Sequence, residues 1–193
     1  MKLKVGEKAP DFSTNDQDGK LVKLSALRGK KVVLYFYPKD MTPGCTAEAC
    51  NLRDNYQFLI KKGYEVLGVS TDNEKSHQKF IAKEKLPFRL LADTGKILHE
   101  AYGTWVEKSM YGRKYMGTAR VTFIISESGV IEDIIEKVDT RNHTDQILKT
   151  DVVIKLAETT KKVAKTPAKK APKKATSKKN NNRKTDPISG ARE

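Results

Sequence analysis

The sequence has few cysteines and no long apolar segment. Only two of its 193 residues are cysteine, too few for the disulfide framework of a small secreted domain. The longest apolar run, residues 32–37, is far shorter than the roughly 20 residues of a membrane-spanning helix. The basic N-terminus lacks the apolar stretch of a secretory signal. These absences predict a cytoplasmic protein without membrane contact, in a reducing compartment where a cysteine pair is more often catalytic or metal-binding than structural.

Positive charge is concentrated near the C-terminal end. The chain has 38 Lys and Arg against 24 Asp and Glu, a formal net charge of +14. Residues 161–193 hold 12 basic and 2 acidic residues, which leaves +4 for residues 1–160. This tail has no aromatic residue and too little apolar surface to offset the entropy of an ordered chain. We therefore expect one folded domain over residues 1–160 and a disordered, Lys/Ala/Pro-rich basic tail over residues 161–193.

The order of predicted elements indicates an α/β fold. Residues 32–37 are a β-branched and aromatic run, typical of a strand buried on both faces. From Cys45 to Leu59, apolar or small residues recur in steps of four and three, which predicts a helix to about residue 62. A second strand over 66–70 and a helix over 73–86 follow. This alternation predicts a central sheet flanked by helices, with at least one parallel crossover.

Weaker patterns complete the predicted domain. A short strand over residues 89–92 and a short helix over 96–102 are followed by a hairpin over 121–125 and 130–138, with its turn at Gly129. A last helix is predicted over 142–158. Near the N-terminus, segments 11–14 and 21–24 predict a small additional β-hairpin. The predicted sheet therefore contains both parallel and antiparallel strands.

The most informative segment joins the buried strand to the first long helix. In open α/β sheets, functional sites collect where the chain leaves the carboxyl end of a strand. Thr42 is a candidate N-cap and Pro43 suits the first helical position, which places Cys45 in the first turn. The positive end of the helix dipole and the unpaired N–H groups there favour a thiolate.

The spacing of Cys45 and Cys50 limits how the two can interact. On a regular helix, residues five apart have Cα atoms roughly 8 to 9 Å from each other. A disulfide normally spans no more than about 7 Å between Cα atoms. If these cysteines bond, the first turns of the helix must therefore unwind.

Several motifs together resemble one known family. The segment around the cysteines resembles the active-site signature of peroxiredoxins of the bacterioferritin-comigratory-protein type, also called the Q type. The matching residues are Pro38, Lys39, Asp40, Thr42, Pro43, Gly44, Cys45, Thr46, Glu48 and Cys50. Further matches lie at residues 6–12, 105–112 and 120–125, so the resemblance covers about residues 1–158.

This resemblance implies a thioredoxin-like fold and a thiol peroxidase that reduces hydrogen peroxide and organic hydroperoxides. It implies that Cys45 is the peroxidatic nucleophile, oxidised to a sulfenic acid, and that Cys50 resolves this acid as an intramolecular disulfide. Thr42 and Arg120 would hold the peroxide oxygens, and Pro38 would shield the thiol. Thioredoxin or a similar dithiol protein would be the reductant, and no cofactor is implied.

The resemblance also bears on assembly. The chain has no Gly-Gly-Leu-Gly stretch and no C-terminal Tyr-Phe helix, elements that accompany the dimeric class that peroxide readily overoxidises. We therefore expect a monomer that resists overoxidation.

Other interpretations of these residues exist. Cys45 could be a small buried apolar residue, Cys50 could be passive while another thiol resolves the intermediate, and Arg120 could be an ordinary residue at a strand end. A general thiol-disulfide oxidoreductase would carry a Cys-x-x-Cys pair, which is lacking. The three histidines, His77, His99 and His143, show no metal-ligand spacing, so we expect no metal.

The basic tail supports a second functional hypothesis. Residues 161–184 resemble the Lys/Ala/Pro-rich tails of linker histones, whose lysines would contact nucleic-acid phosphates without sequence specificity. The protein could then be a nucleic-acid-associated protein in which the peroxiredoxin domain acts as a redox switch or a local antioxidant. Alternatively, the tail is simply solvated, or it is a nuclear address if the host is a eukaryote.

Overall fold

The computed structural model describes residues 3–110 and 112–149. In chain order, its strands and helices are β1 (Ser13–Asn15), β2 (Leu21–Lys23), a 3-10 turn (Leu24–Leu27), β3 (Lys31–Phe36), α1 (Pro43–Asp54), α2 (Tyr56–Lys61), β4 (Tyr64–Ser70), α3 (Glu74–Glu84), β5 (Arg89–Ala92), α4 (Ile97–Ala101), β6 (Trp105–Met110), β7 (Arg113–Thr118), β8 (Val121–Ile125), β9 (Ile131–Ile135) and α5 (143–149).

A five-stranded mixed sheet forms the centre, in the order β5-β4-β3-β8-β9. Strand β3 pairs in parallel with β4, which in turn pairs in parallel with β5. On the other side of β3, strands β8 and β9 are antiparallel. The buried run at residues 32–36 therefore occupies the middle strand, as its continuous apolar sequence predicts. The mixed sheet and the N-terminal hairpin β1–β2 confirm the fold class expected from the sequence.

Two apolar layers cover the faces of the sheet, because alternate residues of a strand point to opposite sides. Val33 and Tyr35 belong to the layer that contains residues of α1, α2, α3 and α5. Leu34 and Phe36 belong to the layer that contains residues of α4 and of the N-terminal hairpin. All four side chains are essentially inaccessible to solvent.

One glycine is required by a close approach within the first layer. A Cβ atom at Gly68, in β4, would lie 2.6 Å from Leu90 Cδ2 and 2.7 Å from the ring of Tyr35. Any larger residue at this position must displace buried side chains on both neighbouring strands. The absence of a side chain at Gly68 therefore leaves room for the Tyr35 ring to pack against β4.

The structure differs from the sequence-based prediction in two places. The helix predicted up to residue 62 is interrupted at Asn55, whose φ and ψ of −105° and 8° separate α1 from α2. The hairpin formed by β6 and β7, over residues 105–118, was not predicted at all. The predicted C-terminal helix is present over 143–149, and its remainder lies outside the described residues, as does the whole basic tail. Within the described part of the chain, no helix is long and apolar enough to cross a membrane.

Candidate active site

Cys45 lies where the middle strand of the sheet leads into α1. Strand β3 ends at Phe36, and after a loop of six residues α1 begins with Pro43 at its first position. The Cys45 side chain is almost completely buried and belongs to the apolar layer beneath the helix. Pro38, half-buried, lies in the loop that precedes it. The structure therefore places Cys45 in the first turn, as the sequence predicted, near the positive end of the helix dipole.

Thr42 occupies the N-cap position but does not cap the helix with its side chain. Its backbone is extended, and its hydroxyl makes no capping hydrogen bond. The hydroxyl instead donates to the carbonyl oxygen of Lys39 at 3.0 Å. The prediction of an N-cap is thus right in position and wrong in the hydrogen bond, because the loop's own carbonyl competes for the hydroxyl.

Arg120 is 75 residues away in sequence but contacts the Cys45 thiol directly. Its Nη2 donates to Cys45 Sγ at 3.2 Å. The antiparallel register of β3 and β8 pairs Phe36 with Val121, which brings the residue before β8 beside the loop that follows β3. Cys45 and Arg120, both predicted site residues, are therefore brought together by the sheet.

Glu48, which matched the family signature but had no predicted role, also belongs to this cluster of contacts. It lies one turn after Cys45, its side chain is completely buried, and its Oε2 accepts a hydrogen bond from Arg120 Nη1. The guanidinium thus connects the thiol to a buried carboxylate. Burial raises the pKa of Glu48 to about 7, although the charge and hydrogen bonding of Arg120 act in the opposite direction. The sequence signal that could have indicated a role for Glu48 was its position on the inward face of the predicted helix.

Behind Glu48 lies a second buried polar group, on α5. His143 Nε2 is 3.7 Å from Glu48 Oε1 and 2.9 Å from the hydroxyl oxygen of Thr122. Burial lowers the pKa of His143 to about 4, and the positive charge of Arg120 contributes in the same direction. His143 is therefore neutral at physiological pH, and Arg120 is the cation that faces Glu48.

The loop before α1 is held by a buried hydrogen-bond cluster around Asp40. The carboxylate accepts hydrogen bonds from the Tyr37 hydroxyl and the Ser76 hydroxyl, both at 2.7 Å. Its Oδ2 is also 2.9 Å from His77 Nδ1. Burial alone would raise the pKa of Asp40, but the contacts with His77 and these hydroxyls hold it below its ordinary value. The cluster ties the loop that carries Thr42 to the first turns of α3.

Cys50 is in a different environment from Cys45. Both cysteines are free, but Cys50 is only half-buried and its thiol donates to Glu84 Oε2 at 3.6 Å. Burial raises the pKa of the Cys50 thiol; Arg53 acts against this shift and the nearby carboxylates add to it. The two cysteines therefore occupy separate sites on one helix.

A groove of about 410 Å³ opens beside Arg120, between the hairpin β6–β7 and the start of β8. Its walls include Val106, Ala119 and Val121, together with Lys108. The amine of Lys108 donates to the carbonyl oxygen of Thr118. Within residues 3–110 and 112–149, no three His, Cys, Asp or Glu side chains are grouped so as to hold a metal ion.

Comparison with known proteins identifies the family. Residues 5–134 match the AhpC/TSA family. The chain belongs to this family. It is 47% identical over 148 residues to a protein of Coxiella burnetii named putative peroxiredoxin bcp, and the aligned region covers 77% of this chain and 98% of the relative. It is also 47% identical over 146 residues to peroxiredoxin Bcp of Escherichia coli K12, which covers 76% of this chain and 94% of that protein.

Comparison with solved structures supports the same family. The fold is similar to that of the Xanthomonas campestris bacterioferritin comigratory protein, with a TM-score of 0.71, 35% identity, and coverage of 76% of this chain and 96% of the other. It is also similar to a PrxQ mutant from Xylella fastidiosa, with a TM-score of 0.74, 29% identity, and coverage of 79% and 98%. The protein is thus a peroxiredoxin of thioredoxin-like fold and a peroxidase enzyme, as the sequence resemblance implied.

Proposed function

We propose that this peroxiredoxin reduces hydrogen peroxide and organic hydroperoxides with Cys45 as the nucleophile and Cys50 as the resolving thiol. The observation that carries the proposal is the 3.2 Å hydrogen bond from Arg120 Nη2 to Cys45 Sγ in the first turn of α1. A guanidinium cannot lose its charge at physiological pH, so this contact favours the thiolate over the thiol. The helix dipole acts in the same direction.

In the first step, the Cys45 thiolate attacks the terminal oxygen of the hydroperoxide. A sulfur–oxygen bond forms, the peroxide O–O bond breaks, and the second oxygen leaves as water or an alcohol after taking up a proton. Negative charge moves from sulfur to the departing oxygen, and fixed donors near that oxygen lower the barrier. Arg120, whose guanidinium contacts the thiol, would supply such donors. We assign the neighbouring hydroxyl of Thr42 to the attacked oxygen, although it contacts Lys39 in this conformation.

The groove beside Arg120 supports the inclusion of organic hydroperoxides. Its valine and alanine walls suit an alkyl group, and Arg120, which lines the groove and contacts Cys45 Sγ, connects the groove to the thiol. One of the structural relatives, from Xanthomonas campestris, is described in terms of its alkyl peroxide reduction activity. Both features favour a substrate range beyond hydrogen peroxide.

In the second step, Cys50 loses its proton and its sulfur attacks the sulfenic sulfur of Cys45. The S–S bond forms, the S–O bond breaks, and the hydroxyl leaves as water with the proton that Cys50 gave up. Because the two residues are five apart in α1, the helix must unwind before the sulfurs can meet. A dithiol protein such as thioredoxin would then reduce the disulfide and complete the cycle.

The test is stopped-flow oxidation by hydrogen peroxide with thioredoxin as the electron donor, combined with peptide mapping. We expect no turnover from Cys45→Ser. We expect Cys50→Ser to react once and then stop as the sulfenic acid, unless an external thiol is added. The mechanism is refuted if Cys45→Ser turns over, or if wild type forms no Cys45–Cys50 disulfide and Cys50→Ser turns over at the wild-type rate. Monomeric state, cytoplasmic location and nucleic-acid contact by the tail stay predictions from the sequence.

A further inference from the structure

The Cys50 side chain connects α1 to the end of α3. Its thiol donates to Oε2 of Glu84, the last residue of α3, at 3.6 Å. Glu84 is itself largely buried, with a side chain that is 17% exposed. Nearby, Arg53 Nη1 donates to the carbonyl oxygen of Glu84 at 2.6 Å. Two contacts therefore hold the second half of α1 against the end of α3.

Burial and the neighbouring carboxylates favour the protonated form of the Cys50 thiol, whereas the Arg53 cation opposes it. Glu84 lies on α3, while Arg53 and Asp54 lie on α1 itself. The Arg53 guanidinium is already paired with Asp54, at 2.8 Å from both its Nε and its Nη2. Two carboxylates thus face the thiol, together with one cation that is paired with Asp54 and acts against them. A thiol that donates to a carboxylate must carry its proton, and ionising it would place a negative charge beside another.

This arrangement separates the two cysteines chemically. Cys45 contacts a guanidinium, which stabilises a negative charge on sulfur, whereas Cys50 contacts a carboxylate, which opposes one. It also affects the second step of catalysis. For a disulfide to form, α1 must unwind, and the Cys50 thiol must leave Glu84 and lose its proton.

We propose that Glu84 is a positioning residue that keeps the Cys50 thiol docked on α3, so that release from Glu84 limits the rate of disulfide formation. This inference rests on the proposed resolving role of Cys50. It requires no added reactant, because hydroperoxide is the oxidant and the Cys50 proton departs with the water formed. Removal of the Glu84 charge should weaken the docking and make the thiol easier to ionise.

The experiment compares wild type with Glu84→Gln, which keeps the shape of the side chain and removes its charge. Glu74→Gln is the matched control, because Glu74 begins the same helix and contacts Asn15 rather than a cysteine. One equivalent of hydrogen peroxide is mixed with each reduced protein, and mass spectrometry of quenched samples follows the sulfenic acid and the disulfide separately. A hydrogen bond worth about 1 kcal/mol corresponds to roughly a fivefold change in rate.

We expect Glu84→Gln to form the disulfide about three to ten times faster than wild type at pH 7, with an unchanged rate of Cys45 oxidation. In the Cys45→Ser background, alkylation of Cys50 by iodoacetamide should begin at a lower pH when Glu84→Gln is added, a shift that a purely structural role would not produce. Glu74→Gln should match wild type in both measurements. Glu84→Ala, which removes the acceptor altogether, provides a second variant if Glu84→Gln does not fold.

An unchanged or slower rate of disulfide formation in the Glu84 variants would overturn the inference. A slower rate would mean that Glu84 assists the reaction as a base instead of restraining the thiol. If wild type forms no Cys45–Cys50 disulfide, the resolving role that the proposed function gives to Cys50 has failed. The alkylation profile of Cys50 still reports on the Glu84 contact in that case, so the two failures are distinguishable.

Discussion

Replacement of Arg120 by methionine should separate two contributions of this side chain to catalysis. Methionine has a similar length but no charge and no donor. In the structure, Nη2 of the guanidinium donates to the Cys45 thiol and Nη1 donates to the buried carboxylate of Glu48. Arg120→Met therefore removes the cation that favours the thiolate, the donors available to the departing oxygen, and the partner of Glu48.

The expected loss of activity is large. A hydrogen bond to a charged group contributes about 1.5–3 kcal/mol, so loss of the contact that favours an anionic sulfur corresponds to a decrease of roughly 10- to 150-fold in rate. Loss of one preorganised donor to developing charge costs about 10²–10³ in rate. Because one side chain supplies both effects, they are not independent. We expect the rate constant for hydrogen peroxide at pH 7 to fall by about 10²–10⁴.

The assay is stopped-flow oxidation of the reduced protein as a function of pH. At alkaline pH a cysteine thiol ionises without the help of a nearby cation. The loss of rate that comes from the missing charge beside the sulfur should therefore disappear there, whereas the loss that comes from the missing donors to the departing oxygen should persist. Arg120→Lys keeps a charge but cannot bridge Cys45 and Glu48 as a fork, and should be intermediate. A wild-type rate in Arg120→Met at pH 7 would refute the assigned role of this residue.

Stability can be separated from catalysis in the same series. Without Arg120, the influences that lower the pKa of Glu48 are gone, so the buried carboxyl should be neutral at pH 7. Because a carboxyl that is ionised in the unfolded chain must take up a proton to be buried, Glu48 then lowers the free energy of unfolding at pH 7, and glutamine does not. The double variant Arg120→Met with Glu48→Gln should therefore unfold at a higher denaturant concentration than Arg120→Met alone, yet react as slowly with peroxide. Recovery of activity in the double variant would show that the single variant had only been misfolded.

Two further predictions concern the scaffold. Gly68→Ala should lower the free energy of unfolding by about 1–3 kcal/mol in a urea titration, because its Cβ would overlap Tyr35; an unchanged midpoint would contradict the close packing. Asp40→Asn should also destabilise by about 1–3 kcal/mol at neutral pH. Because contact with His77 holds the pKa of Asp40 low, this stabilisation is present above the ordinary carboxyl pKa and is lost as pH falls through the lowered value. The difference from wild type should therefore shrink below about pH 4; a constant difference would mean that the charge of Asp40 contributes nothing.

The middle strand and the cysteine corner could be predicted from the sequence because their signals are local. A run of branched and aromatic residues needs no distant partner to indicate a buried strand, and the Thr-Pro-Gly-Cys segment at 42–45 indicates a helix start by its own chemistry. The hairpin β6–β7 gave no such signal, because β7 is largely exposed and its sequence lacks a run of apolar residues. Its base is instead held by tertiary contacts: His99 lies 3.0 Å from the Thr118 hydroxyl and packs against the ring of Trp105.

The two glutamates of the site show why charged residues on a helix are hard to interpret from sequence. Glu48 is separated by 72 residues from Arg120, and Glu84 by 34 residues from Cys50. A glutamate on a helix is normally solvated, and only the folded sheet and the end of α3 reveal that each one faces a group to which the proposed mechanism gives a role. Glu48 accepts a hydrogen bond from the Arg120 guanidinium, which also contacts the Cys45 thiol. Glu84 accepts a hydrogen bond from the Cys50 thiol. Under the proposed mechanism α1 must unwind in every cycle, and the contacts of Glu48 and Cys50 both hold this helix in its folded position.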